Sequence, residues 1–146
     1  MAITVTIHPE TKREFFEDVL KDYPSLEHSI LKDFTICMES KGLKLASYMG
    51  CDQPYSEPAA ARIGQLRHIH IALPPQVFDP NKPQSYRKCS IKMPELDAAL
   101  VYAQGELYED RYVILAFFAP NGHAKAKVDA VMNKLGYLAK KFRDEN

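Results

Sequence analysis

The sequence predicts a single α+β domain, residues 1–146, with helices on one face of an antiparallel sheet of about four strands. Three observations lead to this prediction. A short alternating segment opens the chain, two segments with helical spacing of apolar residues follow it, and three strand-like segments precede a last helical segment. This order of elements is typical of α+β domains, and a chain of this length buries one sizeable core.

The first two elements are a strand and a helix. Ile3, Val5 and Ile7 alternate with threonines, which is the pattern of a half-buried strand. Thr11 with Glu14 three residues later matches a capping box, so a helix is expected to begin there. Its apolar face ends before Pro24, where a proline favours a break.

A second helix is expected to begin at Ser25, a residue type that caps helices, and to end near Gly42. Leu26, Ile30 and Phe34 fall on one side of it. The stretch 48–61 contains Gly50 and two prolines and is predicted to be a loop.

Strand signals dominate the middle of the chain. Residues 65–73 alternate, residues 98–104 form an apolar run, and residues 112–119 are apolar throughout, as in a central strand buried on both faces. Residues 105–110 fit the turn of a hairpin between the last two strands.

A proline-rich segment, residues 74–95, separates the first of these strands from the second. It holds half of the ten prolines, namely Pro74, Pro75, Pro80, Pro83 and Pro94. A loop of this length inside a compact domain is usually functional or mobile, and a lid over the site and a contact for a partner protein are both open.

The last element is predicted to be one helix after Pro120. Its apolar residues Val128, Val131, Leu135, Leu138 and Phe142 are spaced three and four apart. Lys127, Lys134 and Lys141 recur every seven residues and predict a basic stripe beside that apolar face.

Composition narrows the function classes. The formal net charge is zero, which argues against indiscriminate coating of nucleic acid. The charge is unevenly placed, however, because residues 58–92 carry six basic side chains, Arg62, Arg67, Lys82, Arg87, Lys88 and Lys92, against Asp79 alone. Such a local basic region can contact phosphates.

Several features are expected to be absent. No secretory signal or membrane span is predicted, so a cytoplasmic location without membrane contact is the expectation. The odd, widely spaced Cys37, Cys51 and Cys89 predict reduced thiols rather than a disulfide framework or a thiolate zinc site. No phosphate-binding glycine loop, serine nucleophile elbow or His-Glu-x-x-His zinc motif occurs.

The sharpest candidate site is a histidine pair. His68 and His70 lie two apart in a predicted strand, so their side chains share one face while Ile69 and Ile71 occupy the other. If the isoleucine face covers the helices, the histidine face is open. An exposed pair of imidazoles suits acid–base chemistry or metal binding, although one histidine could be an ordinary surface residue and the other could pack beneath the loop.

Other candidates are spread along the chain. His123 follows the turn after the last strand, where catalytic or phosphate-binding groups are common. Tyr102 lies within a strand and could either stack on a base or pack in the core. Four cations of the C-terminal region could bind phosphate or simply be solvated, and they are Lys125, Lys127, Lys134 and Arg143.

Four motifs follow one another along the chain, and they are His68-Ile69-His70-Ile71-Ala72, Leu100-Val101-Tyr102-Ala103-Gln104-Gly105, His123-Ala124-Lys125-Ala126, and Met132-Asn133-Lys134-Leu135-Gly136 with Ala139, Phe142 and Arg143. Taken together in their order and spacing, they resemble the YafO toxins over roughly the last hundred residues. Gly50, Asp52 and Tyr55 fit the same pattern more loosely.

The resemblance implies a toxin of a type II toxin–antitoxin system, similar in general architecture to the RelE group. It further implies cleavage of translated mRNA in association with the ribosome, inhibition of translation, and silencing by a cognate antitoxin protein. RelE-type toxins are strongly basic, and the neutral charge of this chain is a departure from them.

The chemistry of metal-free RNA cleavage then suggests roles for the candidates. A base must activate the 2′-hydroxyl, an acid must protonate the departing oxygen, and cations must offset the charge on phosphorus. We expect His123 with His68 or His70 as the acid–base pair and Tyr102 as an orienting or stacking group. Phosphate contacts are expected from Lys125, Lys127, Lys134, Arg143 and Arg67, with no metal and no cofactor.

Two alternatives remain open at the level of sequence. In the first, His68, His70 and His123 form a three-histidine metal site with an open coordination position. In the second, the chain is a non-catalytic module that binds a protein or RNA through the proline-rich loop and the basic helix.

Overall fold

The computed structural model describes residues 2–146, and the described part consists of a mixed sheet with helices on both sides. The strands are β1 Thr4–Ile7, β2 Met49–Pro54, β3 Arg67–Ala72, β4 Asp97–Gln104 and β5 Arg111–Phe118. The helices are α1 Asp18–Leu20, α2 Pro24–Glu39, α3 Ala59–Ile63, α4 Gly122–Lys125 and α5 Asp129–Glu145. A π-helical segment, Lys12–Glu17, leads into α1, and 3-10 turns lie at Gln84–Tyr86 and Pro94–Leu96.

The sheet has the order β1-β5-β4-β3-β2, and its first pair is parallel. Thr6 of β1 pairs with Val113 of β5, while the other neighbours run antiparallel. The α+β class and the hairpin of β4 and β5 are confirmed. The prediction of a wholly antiparallel sheet of about four strands is wrong, because β1 pairs with the last strand of the chain and a fifth strand is added at β2.

Helices cover both faces of the sheet, so the prediction of helices on one face is also wrong. Side chains of α2, such as Phe34, pack with Ile69 and Leu100 on one face. Side chains of α5, such as Leu135, pack with Val101 on the other face together with α3. Apolar residues on both faces of β4 and β5 are what permits two layers.

The strand β2 lies in a stretch predicted to be a loop. Gly50 and Pro54 are poor strand formers, yet pairing with β3 decides the conformation, as tertiary context often does. Gly50 is required by a close approach, because a Cβ there would collide with the carbonyl oxygen of Arg87 and the ring of Phe78. The proline-rich segment thus packs directly on this edge strand, and the Cys51 N–H donates to the Arg87 carbonyl at 2.8 Å.

The C-terminal helix is divided in two. Val128 precedes Asp129 with an extended backbone, so α4 ends at Lys125 and three residues separate it from the start of α5 at Asp129. Lys127 lies in this break, and the predicted stripe of three lysines on one helix is therefore wrong. The predicted capping box is absent as well, because the Thr11 side chain makes no cap hydrogen bond.

None of the helices formed by residues 2–146 is both long and apolar enough to cross a membrane.

Candidate active site

The candidate site lies where β4 begins and β5 has just ended, which the antiparallel pairing of these strands brings to the same end of the sheet. Asp97 is the first residue of β4, and His123 follows the turn after β5. Asn121 adopts a left-handed conformation with φ of 62°, which turns the chain back towards β4. Gly122 then packs so closely that a Cβ would lie 3.2 Å from Oδ1 of Asp97.

Asp97 and His123 form a doubly hydrogen-bonded pair. The backbone N–H of His123 donates to Oδ2 of Asp97 at 2.8 Å, and the ring Nδ1 lies 2.7 Å from the same oxygen. The Asp97 side chain is only 3% exposed, whereas the His123 side chain is 37% exposed. A buried carboxylate requires such partners, and it favours the tautomer in which Nδ1 carries the proton and Nε2 is free to accept one.

His70 lies beside this pair and is held in a neutral form. Its ring centroid is 5.7 Å from that of His123, and the residue is 4% exposed. The backbone N–H of Cys89 donates to Nδ1 at 3.0 Å, so in the neutral ring the proton resides on Nε2. Burial, followed by the neighbouring His123, lowers the pKa of His70 to about 4.

His68 and Tyr55 form the opposite wall. Their rings are stacked with centroids 4.0 Å apart, and the centroid of His68 is 5.3 Å from that of His70. Within the described residues, Nδ1 of His68 is buried and has no hydrogen-bond partner. Burial lowers the pKa of His68 to about 3.

The expectation that the histidine face is open is therefore wrong. Tyr55 comes from the end of the unpredicted β2 region and stacks on His68, and the segment around Cys89 closes over His70. What remains is a small pocket, and its lining residues include Tyr55, His68, His70, Asp97 and His123.

Tyr102 and Arg67 lie on the opposite face of the sheet from the histidines. The Tyr102 hydroxyl donates to Oδ2 of Asp52 at 2.6 Å, and Nε of Arg67 donates to Oδ1 at 3.2 Å. The ring of Tyr102 packs against Phe34 of α2, with centroids 5.0 Å apart. Because Tyr102 pairs with Arg67, the strand alternation that places His68 on one face directs both of these residues to the other.

The four C-terminal cations are scattered. Nζ of Lys125 donates to the Ala119 carbonyl at 2.8 Å, and burial lowers the pKa of Lys125. Nζ of Lys134 lies 5.7 Å from the ring centroid of Phe15. Arg143 donates to the Gln104 carbonyl at 2.7 Å, at the end of β4 remote from Asp97. Lys127 is exposed and follows Ala126, a residue that lines the pocket.

Sequence reasoning missed Asp97 as a site residue, and it noted Tyr55 only as part of a loose family pattern. A lone aspartate before an apolar strand carries no motif, since its role depends on the far end of β5. In the sequence, Lys88 is distinguished only as part of a basic region. Its charge is among those that lower the pKa of His70, which places it near the site.

Metal binding receives no geometric support. Among residues 2–146, no group of three or more histidine, cysteine, aspartate or glutamate side chains is arranged to hold a metal ion. The three cysteines are free, and Cys89 donates from Sγ to the Ile71 carbonyl at 3.3 Å.

The chain is thus a small α+β protein with a mixed sheet between two helical layers and a hydrogen-bonded Asp–His pair at one end of that sheet. Residues 35–144 match the family described as "Toxin YafO, type II toxin-antitoxin system", and the chain belongs to this family. The mRNA interferase toxin YafO of Escherichia coli (strain K12) is 32% identical over 79 residues, which are 54% of this chain and 55% of that protein. The chain thus aligns with about half the length of this relative, and no solved structure matches it.

Proposed function

We propose that this protein is an endoribonuclease toxin that cleaves mRNA, with Asp97 and His123 as its central catalytic pair. The observation that carries the proposal is the hydrogen-bonded pair itself, in which a buried carboxylate orients a half-exposed imidazole. The family membership and the name of the relative, an mRNA interferase, support mRNA as the substrate of this acid–base site.

The chemistry begins with proton transfer to His123. Its Nε2 accepts the proton of a ribose 2′-hydroxyl, and the 2′-oxygen attacks phosphorus as the bond to the 5′-oxygen breaks. The carboxylate of Asp97 stabilises the imidazolium that forms, as in other Asp–His pairs. The departing 5′-oxygen takes a proton at the solvent-exposed mouth of the pocket, either from this imidazolium or from water.

His70 supports the same step as a hydrogen-bond donor. Because Nδ1 accepts from Cys89, Nε2–H is available for a non-bridging phosphate oxygen, where charge builds up. A pKa of about 4 keeps His70 neutral near pH 7, so its role is to donate this bond rather than to act as a cationic acid. His68, stacked by Tyr55, positions His70 from behind.

The wider setting also belongs to the proposal. A small pocket on a chain of zero net charge aligns a flexible RNA poorly by itself, so we propose that the ribosome presents translated mRNA in the reactive geometry. The enzyme would act in the cytoplasm without a metal, and a cognate antitoxin protein would hold it inactive. The C-terminal helix α5, which packs on the sheet, supports a structural relationship to the RelE toxins.

The test is to add purified protein to a translating extract and to map new mRNA 5′ ends. His123→Ala, and His68→Ala combined with His70→Ala, are expected to abolish the new ends and the growth arrest in cells. Lys32→Ala, at an exposed position of α2, is the control and should retain activity. Circular dichroism verifies that each variant is folded.

Two outcomes would overturn the proposal. If His123→Ala produced the same ends as the unmodified protein, the assigned site would be wrong. If the unmodified protein produced no new ends, the non-catalytic interaction module would be favoured. Elemental analysis of untagged protein separately tests the metal-free mechanism, since stoichiometric zinc or iron would contradict it.

A further inference from the structure

The segment 79–92, here called the basic loop, is strongly cationic. It contains Lys82, Arg87, Lys88 and Lys92 against one acidic residue, Asp79. Within residues 2–146, none of its three lysines forms a salt bridge, whereas Arg87 is used internally and donates from Nε to the Lys82 carbonyl at 3.0 Å. The lysine charges are therefore available to an anionic partner.

The basic loop is attached to the candidate active site rather than standing apart from it. Its Cys89 N–H donates to Nδ1 of His70, and its Arg87 carbonyl accepts from Cys51 of β2. Nε2 of Gln84 adds a third contact, to the Gly50 carbonyl at 3.0 Å. These bonds fix the path of the loop, and Lys88 immediately precedes the residue that holds the His70 ring.

The same loop exposes large side chains that the core does not use. Tyr86 is 70% exposed and Ile91 is 59% exposed. An exposed aromatic ring among lysines is the combination by which proteins bind single-stranded nucleic acid, with the base on the ring and the phosphates on the cations. The Cys89 contact to His70 also attaches this loop to the candidate active site, where the proposed function places RNA.

We infer that the basic loop is a binding surface for single-stranded RNA and that Lys88 contacts a phosphate next to the one held at His123 and His70. The inference rests on the proposed function and specifies how its substrate is held. Tyr86 stacks on a base, and the Cys89 amide links the bound strand to His70. RNA is thereby held on the element that also sets the tautomer of His70.

The test measures RNA binding without cleavage. A fluorescently labelled, single-stranded 2′-O-methyl RNA cannot undergo 2′-hydroxyl attack, and fluorescence anisotropy gives its affinity over a series of salt concentrations. Lys88→Ala is expected to weaken binding and to reduce the slope of log affinity against log salt by about 0.7, the value for one phosphate contact to a single strand. Lys32→Ala, on the opposite face of the sheet, should change neither quantity.

The aromatic contact has its own pair of variants. Tyr86→Ala is expected to weaken binding by roughly tenfold, whereas Tyr86→Phe, which keeps the ring, should bind as the unmodified protein does. At 70% exposure, neither change disturbs the core. In addition, the Cys89 amide resonance should shift when RNA is added.

The outcomes separate this inference from the proposed function. Failure of the unmodified protein to bind the RNA, or identical salt slopes for Lys88→Ala and the unmodified protein, would overturn the inference. Retention of full affinity by Tyr86→Ala would also contradict the inference. So would a basic loop that binds an acidic protein but not the RNA. Binding that responds to both variants supports it even if the translating extract shows no cleavage, a result that would remove only the proposed function.

Discussion

At the scale of single residues, Asp97 holds its partner twice, once through the backbone and once through the ring of His123. The backbone bond fixes the position of α4, and the ring bond fixes the orientation and tautomer of the imidazole. The two bonds respond differently when Asp97 is replaced by asparagine. The side-chain amide oxygen of asparagine can still accept from the backbone N–H of His123, but it carries no charge to stabilise an imidazolium.

Asp97→Asn is therefore expected to leave the protein folded and to reduce RNA cleavage by about 10²- to 10⁴-fold, the usual contribution of a positioned acid or base. The measurement is the rate at which new mRNA 5′ ends appear in a translating extract. Asp18→Asn, at an exposed position of α1, is the matched control and should cleave at the normal rate. Equal rates for both variants would remove Asp97 from the mechanism.

A second residue-scale prediction concerns pH. The pKa of His70 is about 4 in the folded protein and about 6.5 when unfolded, so the unfolded chain binds more protons between these values. The stabilisation that comes from keeping His70 neutral is complete above about pH 6.5, and it is lost as the pH falls towards and through about 4. At pH 5 the loss from His70 is about 2 kcal/mol.

Urea unfolding at pH 7.5 and pH 5 measures this loss. His70→Asn keeps an acceptor for the Cys89 amide but removes the titrating group, and it should lose less stability between the two pH values. An unchanged difference between the two pH values in His70→Asn would show that other groups govern the acid sensitivity.

At the scale of elements, the packing of α3 against α5 depends on two glycines. A Cβ on Gly136 would lie 2.5 Å from the backbone of Ala60, and a Cβ on Gly64 would collide with the carbonyl oxygen of Gly136. The helices therefore touch backbone to backbone. This contact anchors α3, which follows Tyr55 in the chain and so helps to fix the wall of the pocket.

Gly136→Ala is expected to destabilise the protein by about 1–3 kcal/mol, because overpacking against backbone outweighs the gain of about 1 kcal/mol in helix propensity. Chemical denaturation measures the change in the free energy of unfolding. Asn133→Ala, exposed on α5, is the control and should be neutral or stabilising. A gain in stability for Gly136→Ala would mean that the helices separate at little cost.

The elements also show which features a sequence can predict. Alternation correctly predicted β3 and the shared face of His68 and His70, because that pattern is local. The strand β2 could not be predicted, since Gly50 and Pro54 become part of a strand only through pairing with β3. For the same reason, neither Asp97 nor the burial of the histidines was visible, because both depend on contacts between distant segments.

At the scale of the whole molecule, β1 is the edge strand that pairs with β5. The strand is short, yet it covers a long apolar strand whose exposed edge would pair with other chains. The family match begins only at residue 35, so β1 and the π-helical segment lie outside it. The strand that covers the edge of β5 therefore comes from a part of the chain outside the matched region.

Deletion of residues 2–8 is expected to cause aggregation, because it leaves the β5 edge unpaired. Size-exclusion chromatography and circular dichroism provide the measurement. Thr4→Ala, at an exposed position of β1, serves as the control and should remain folded and disperse. A truncated protein that behaved like this control would show that β1 is dispensable.

The parallel pairing of β1 with β5 also has a consequence for the timing of synthesis. Thr4 is made more than a hundred residues before its partner Arg111, and His123 comes later still. Contacts this distant in sequence form slowly because a long loop must first close. A growing chain therefore lacks the pairing of β1 with β5 until β5 has been made, and it lacks the Asp97–His123 pair until His123 has been made, so the catalytic activity proposed above cannot appear before then.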